Sequence, residues 1–238
     1  MKRSESMEAR GIAAIERRGI LLVYPLANRD EPRSLWSELH PRTPMRWSWD
    51  ASADVRVAQM WRRRETLARS LDVVYAKWFR GRATFFSKPV FRAILATLAV
   101  EGGLEAGLSR DARALLDLLM DDSPQSTKVL RANADMQGRA NEPAYTRALK
   151  ELWSRLLIVG VGEVPDGAFP SLQMSATRLR FEDLWPDGLP PKPDDARALE
   201  AALAASPLFA RELAKTRALV SGQRTARSFA GASGRDTQ

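Results

Sequence analysis

Apolar residues recur at helical spacing through the first eighteen positions, at Met7, Ile12 and Ile15 among charges. Gly19 stops the pattern just before Ile20-Leu21-Leu22-Val23-Tyr24, a run closed by Pro25, so a helix followed by a short buried strand is predicted. From Ala27 to Asp50 the punctuation thickens, with Asn28, Pro32, Pro41 and Pro44 among Trp36, Trp47 and Trp49, and an ordered loop pinned by aromatics is expected. Asp50 and Asp54 supply capping oxygens for a helix to about Leu71, whose stripe is Val57, Met60, Trp61, Leu67 and Leu71. Residues 73–79 are rich in β formers and lead through Arg80-Gly81-Arg82 into Ala83-Thr84-Phe85-Phe86, which reads as a hairpin turning at Gly81. Strand alternation puts Tyr75, Lys77 and Phe79 on one face and Val74 and Trp78 on the other, so Trp78 and Phe79 are not expected to be exposed together. Ser87 then caps a helix running from Lys88 to about Val100.

After the glycines at 102, 103 and 107 the order becomes recognisable. Ser109 and Asp111 open a helix holding Leu115, Leu118 and Leu119, Ser123-Pro124 opens a second with Val129 and Leu130, and Asn141-Glu142-Pro143 opens a third with Tyr145, Ala148, Leu149, Leu152 and Leu156. The strand Leu157-Ile158-Val159-Gly160-Val161, the turn Pro165-Asp166-Gly167 and a second strand up to about Gln173 follow. Three helices and a hairpin are the plan of a winged helix. The fold class is therefore α+β, with a winged helix in the C-terminal half and a mainly helical N-terminal region that has its own hairpin. Helix 54–71 running into hairpin 73–86 echoes helix 141–156 running into hairpin 157–173, which leaves tandem winged-helix-like units open. The predicted divisions are 1–107 (N-terminal helix and hairpin region), 108–190 (winged helix), 191–220 (C-terminal helices) and a disordered tail over 221–238.

Composition narrows the partners. Thirty-seven bases against 29 acids give a net charge of +8 over 238 residues, and 30 of the bases are arginine, the side chain suited to phosphate forks and guanine edges. That surplus favours a polyanion, with nucleic acid the expected partner. With no cysteine there is no disulfide, thiol nucleophile or cysteine-based zinc site, and a single histidine, His40, excludes histidine-rich metal sites, so neither metal nor cofactor is expected. Met1-Lys2-Arg3 leads into polar residues, and no apolar run approaches the roughly 20 residues of a membrane span, so a cytoplasmic address and no membrane contact are expected.

Residues 108 to 175 resemble the winged-helix module of the AlkZ-type DNA interstrand-crosslink glycosylases. The resemblance rests on Leu115-Leu116-Asp117-Leu118-Leu119 with Ser126-Thr127-Lys128-Val129-Leu130-Arg131, and on Ala148-Leu149-Lys150-Glu151-Leu152 running into Leu156-Leu157-Ile158-Val159 with Gly162-Glu163. The aromatic-basic hairpin and helix at 75 to 91 are loosely similar too. The Gln-x-Gln or Gln-x-Asp pair that positions water in such enzymes is absent, since Gln59, Gln125, Gln137, Gln173, Gln223 and Gln238 all lack the partner. The resemblance thus implies a DNA-handling fold in damage recognition or repair ahead of a reaction.

Two basic regions are candidate contacts. The outward face of the third helix presents Pro143, Arg147, Lys150 and Ser154, with Arg139 before it and Arg178 and Arg180 beyond the hairpin. From Asp54 to Arg92, ten bases, including Arg62, Arg63, Arg64, Lys77, Arg80 and Arg82, face three acids and interleave with aromatics, a composition suited to tracking a phosphate backbone. Arg80-Gly81-Arg82 is the foremost single site, because a hairpin tip is exposed whichever face is buried. Arg64 falls on or beside the apolar stripe of its helix, where a guanidinium needs a buried acid, a phosphate or a route to solvent. No catalytic residue stands out; Asp50, Asp54 and Gln59 lie near the basic stretch, and His40 reads as structural. The alternatives to a DNA-binding winged helix are an active glycosylase with an unidentified water-activating residue, or a protein-interaction module whose exposed C-terminal helices form a homodimer contact.

Overall fold

The computed structural model describes residues 6–47, 54–167 and 169–232, with side chains up to Gly222. Helix α1 (Met7–Arg18) starts at Ser6, whose hydroxyl accepts the Ala9 N–H at 3.1 Å. It ends at Gly19, where φ is +75° and an added Cβ would lie 2.9 Å from both Ala202 and Val90. Strand β1 (Ile20–Leu22) follows. Within the stretch expected to be loop, Ser34 and Ser37 cap each other reciprocally and start a short helix, α2 (Leu35–Leu39). Trp36 is buried there, donating its indole N–H to the Thr43 carbonyl at 2.8 Å, whereas Trp47 is half exposed against Tyr24; Trp49 and Asp50 lie outside the described residues. Asp54 caps helix α3 (Val55–Arg69), and strands β2 (Val73–Ala76) and β3 (Thr84–Ser87) form the hairpin, with β3 central in an antiparallel sheet ordered β1-β3-β2. Because β2 ends at Ala76, the predicted alternation breaks down beyond it, and Trp78 and Phe79 are both buried.

Helix α4 (Lys88–Glu101) leads to a second series. This comprises α5 (Arg110–Asp121), β4 (Gln125–Ser126), α6 (Thr127–Asn133), α7 (Glu142–Ser154), β5 (Ile158–Val164) and β6 (Ser171–Ala176), with sheet order β4-β6-β5. Helix α6 starts at Ser126 instead of Ser123-Pro124, because Gln125 and Ser126 are extended to pair with Met174 and Gln173 on β6. The two series share one element order (helix, strand, helix, helix, hairpin) and one strand order, with the third strand in the middle. This α+β plan is compatible with a winged helix.

The sheets differ in burial. In the first, Leu21, Val73, Tyr75 and Phe85 face α1 to α3, while Ile20, Leu22, Val74, Ala76 and Phe86 face a second core shared with Phe91, Leu115, Leu152 and Met174. Burial on both faces explains why its strands read as continuous apolar runs. The shared core also crosses the division expected at 107.

The C-terminal helices, expected to be exposed, are part of that core. Short helix α8 (Thr177–Arg180) precedes α9 (Pro193–Ala205) and α10 (Pro207–Ala232). Leu199, Ala202, Phe209, Leu213 and Val220 are buried at helical spacing, and the carboxylate of Asp195 takes two hydrogen bonds from Arg92 at 2.6 and 2.8 Å. This apolar face is covered by α4 and the first hairpin. Backbone helix also continues through Ala232, past Ser221, where a disordered tail is expected; Val220 anchors it so closely to Gly102 that a Cβ there would lie 2.3 Å from its side chain.

Candidate nucleic-acid interface

The turn of the first hairpin meets the second unit across a cleft of about 490 Å³. Lys77, Arg80 and Gly81 line one side, and Thr127, Arg131, Tyr145, Lys150 and Trp153 are among those lining the other. Phe79–Gly81 forms a single 3₁₀ turn in which Arg80 has φ +51°, and the Arg80 N–H is held by the Glu212 carboxylate at 3.1 Å, so α10 braces the turn. The cleft therefore gathers four cations from elements far apart in sequence. Arg131 is paired with Glu142 at 2.6 Å and lies 4.4 Å above the Tyr145 ring. Tyr145 donates its hydroxyl to the Thr127 carbonyl at 2.8 Å, and burial pushes its pKa to about 12. Arg80 and Lys150 are exposed. Burial lowers the pKa of Lys77, as does the charge of Arg64, and Glu163 acts in the opposite sense.

Behind the cleft the two units are stitched at Glu163. Arg64 is 7% exposed and donates a short hydrogen bond to the Glu163 carboxylate, which also accepts the Trp61 indole N–H at 3.1 Å, while the Glu163 carbonyl accepts from Arg69 at 2.7 Å. Arg64, expected among the nucleic-acid contacts, has a buried acid as its partner. It replaces Trp61 on the buried stripe, and Trp61 and Leu71, expected on that stripe, are 40% and 51% exposed. Two glycines permit the close approach. A Cβ on Gly160 would lie 2.4 Å from the Tyr75 ring, and Gly162, at φ +126°, is covered by the Arg69 guanidinium. Burial also raises the pKa of Tyr75, and that of Tyr24 to about 12.

The second hairpin projects. Its turn is pinned at Asp166, whose carboxylate accepts the Ser126 hydroxyl at 2.5 Å and whose carbonyl accepts from Lys128 at 2.6 Å. The hydrogen bonds from Ser126 and Ser171 hold the Asp166 carboxyl below its ordinary pKa. Beyond it, Phe169 is 84% exposed. Helix α7 exposes Pro143, Arg147 and Lys150 as expected, but its last turn is covered, for Thr216 donates to the Ser154 carbonyl at 3.3 Å. Arg147 and Lys150 also share a groove with Ser109 and Leu219 on the other flank of α7.

Of the expected contact residues, the cleft brings together Lys77, Arg80 and Lys150, with Arg147 on the adjoining groove. Arg62, Arg82, Arg139 and Arg178 are exposed and Arg63 is half-buried, but none lines the cleft. Arg178 lies 5.9 Å over the Trp185 ring, and Arg180 donates to the Arg69 carbonyl at 2.6 Å. Sequence reading did not assign roles to Arg131, Glu163 or Phe169. Arg131 stands in the quoted Ser126 to Arg131 segment, yet only the packing of α6 on α7 shows that it faces Lys77. Among the catalytic candidates, Asp54 is spent on capping α3 and pairing with Arg56 at 2.7 Å, and Gln59 is exposed. His40 packs on Trp36 with ring centroids 4.7 Å apart, and burial, then Arg63 and Arg56, lower its pKa. Among the described residues no cluster of His, Cys, Asp or Glu is fit to hold a metal, and no helix is long and apolar enough to cross a membrane.

Fold and site together define a basic α+β protein of two like-ordered units, joined by a buried ion pair and opening on a cation-lined cleft. The chain belongs to the AlkZ-related family, whose model matches residues 8–166, from α1 through β5, and this relates it to DNA repair glycosylases. Comparison with curated proteins and with solved structures gives no match.

Proposed function

We propose that the protein binds DNA in damage recognition, with α5 to β6 acting as a winged helix, α1 to β3 as a second unit of the same kind, and the cleft between them as the strand path. The carrying observation is that Lys77, Arg80, Arg131 and Lys150 converge there from two units, with Glu142, paired to Arg131, and Glu212, holding the Arg80 N–H, beside them. Exposed cations on opposite walls of a concave path suit a phosphate backbone, and most contacts of this kind position the nucleic acid without reading its sequence. The open N-terminal turns of α7, with Arg147, supply groove contacts, and Phe169 at the wing adds an apolar contact.

Fluorescence anisotropy on plain duplex, single-stranded and alkylated DNA tests the reading. Affinity is expected to fall steeply between about 50 and 200 mM salt, and Arg80→Ala with Lys150→Ala to flatten the logarithmic salt slope by about 0.9 for each phosphate that is no longer neutralised. Absence of binding at low salt would remove this reading and leave a protein-interaction module as the better account.

A further inference from the structure

We propose that Lys77 is a catalytic amine that attacks the deoxyribose of an abasic site, making the cleft between the units a strand-cleaving lyase centre; the inference rests on the DNA-binding reading above. The cleft, at about 490 Å³, lies in the roughly 300–1,000 Å³ range of sites that enclose a small ligand. Its cations divide by exposure. Arg80 and Lys150 are exposed, Arg131 is engaged by Glu142, and Lys77 is half-buried. Lys77 makes no ion pair among the described residues. The nearest opposing charge, Glu163, is committed to Arg64 and Trp61. An amine must be neutral to attack a carbonyl, and desolvation beside another cation is the arrangement that makes a lysine nucleophilic. Lys77 lines the cleft half-buried, and burial, then Arg64, disfavour its ammonium form against the opposing charge of Glu163. Arg80 and Lys150, on opposite walls, are placed to take the phosphates flanking a sugar that enters the cleft.

An abasic sugar in its ring-opened form presents an aldehyde at C1′. The neutral Nζ of Lys77 adds to that carbon, and the C1′ oxygen departs as water after taking one proton from the amine and one from solvent, leaving a protonated Schiff base. The iminium withdraws electrons from C2′, solvent water takes a C2′ proton, and the C3′–O bond breaks with its electron pair going to the departing phosphate. The downstream strand leaves with a 5′-phosphate. Water then hydrolyses the remaining Schiff base, returning Lys77 and an unsaturated aldehyde on the upstream strand. Nothing is oxidised or reduced.

The test incubates the full chain with duplex carrying a single abasic site in the presence of borohydride, which reduces the imine to a stable amine and so links protein to DNA. The wild type is expected to give the adduct, with the modified peptide containing Lys77 by mass spectrometry. With the abasic duplex at saturating concentration, Lys77→Arg is expected to lower the adduct yield at least about tenfold, and Lys192→Arg, an exposed lysine that does not line the cleft, to retain the adduct. Salt-sensitive binding without an adduct would overturn the lyase and leave the DNA-binding reading intact. An adduct mapped to another amine would overturn the assignment to Lys77, and that measurement needs only the wild-type chain. Absence of binding to any of the DNA probes would overturn both readings.

Discussion

The hairpins β2–β3 and β5–β6 hold the same place in their units and meet opposite fates. The first has four-residue strands, is buried on both faces, and its turn is braced by Glu212 on α10. The second has strands of seven and six residues, is buried only near its base, and ends in a turn pinned to α6 through Ser126 and Lys128, with Phe169 in solvent. One plan thus yields a wall between two cores in one unit and, in the other, a hairpin whose β5 docks on α3 and β2 while its tip stands in solvent. What decides between them lies outside either unit: α4, α9 and α10 cover the first sheet, and no described element covers the tip of the second.

Two phenylalanines expose that contrast, and the larger effect is at the first. Phe86 on β3 is fully buried, with Trp78 and Phe91 rings edge-on at 5.4 and 5.5 Å. Phe86→Ala is expected to cost about 3–5 kcal/mol of unfolding free energy, as a cavity in a sheet closed on both sides has no route to collapse. Urea denaturation followed by tryptophan fluorescence measures it. A loss below about 1 kcal/mol would mean that the first sheet has an open face after all.

Next in size is the seam. Glu163→Ala leaves the Arg64 guanidinium buried without its acid and the Trp61 N–H without its acceptor, and a destabilisation of about 3 kcal/mol is expected. Arg64→Met combined with Glu163→Leu should recover much of it, because the apolar pair carries no desolvation penalty. If the double variant is as unstable as the single one, the ion pair is holding the units by more than its charge.

Much of the fold was legible because local chemistry and global packing agree. The stop at Gly19, the caps at Asp54 and Ser109, and the long third helix from Glu142 are all written in neighbouring residues. Helix α2 was hidden because Ser34 and Ser37 cap a single turn amid prolines, a device too short to show periodicity. Strand β4 was hidden because two residues carry no alternation; only their pairing with β6 makes them a strand. At the site, exposure was readable and convergence was not. Arg147 and Lys150 follow from the outward face of one helix, whereas the meeting of Lys150 with Lys77 and Arg80 depends on how two units dock, and the decisive residue there, Glu163, reads as one more surface acid. Arg64 is instructive in the other direction: its position on an apolar stripe marked it as needing a partner, and the stripe could not say which.

A smaller effect is expected where the units touch without charge. Gly160→Ala places a methyl group 2.4 Å from a Tyr75 ring that is itself buried against Phe85, so the strand must shift, at a cost of about 1–3 kcal/mol. Thermal unfolding of this variant beside Gly81→Ala separates crowding from backbone strain. Gly81 has positive φ, +72°, and nothing within 4 Å of an added Cβ, whereas Gly160 is crowded without a positive φ. If Gly160→Ala leaves the unfolding temperature unchanged while Gly81→Ala lowers it, the packing on Tyr75 is looser than its geometry indicates.

The smallest change in stability is expected at Phe169, the counterpart of Phe86. Phe169→Ala should leave the unfolding free energy within about 0.5 kcal/mol, since the ring already lies in water and the turn is held by Asp166. Its effect should appear in binding instead, as a several-fold weaker affinity for duplex DNA with an unchanged salt slope, because the side chain carries no charge to release counterions. A measurable loss of stability would place Phe169 against the body of the protein and make the second hairpin, like the first, a part of the core.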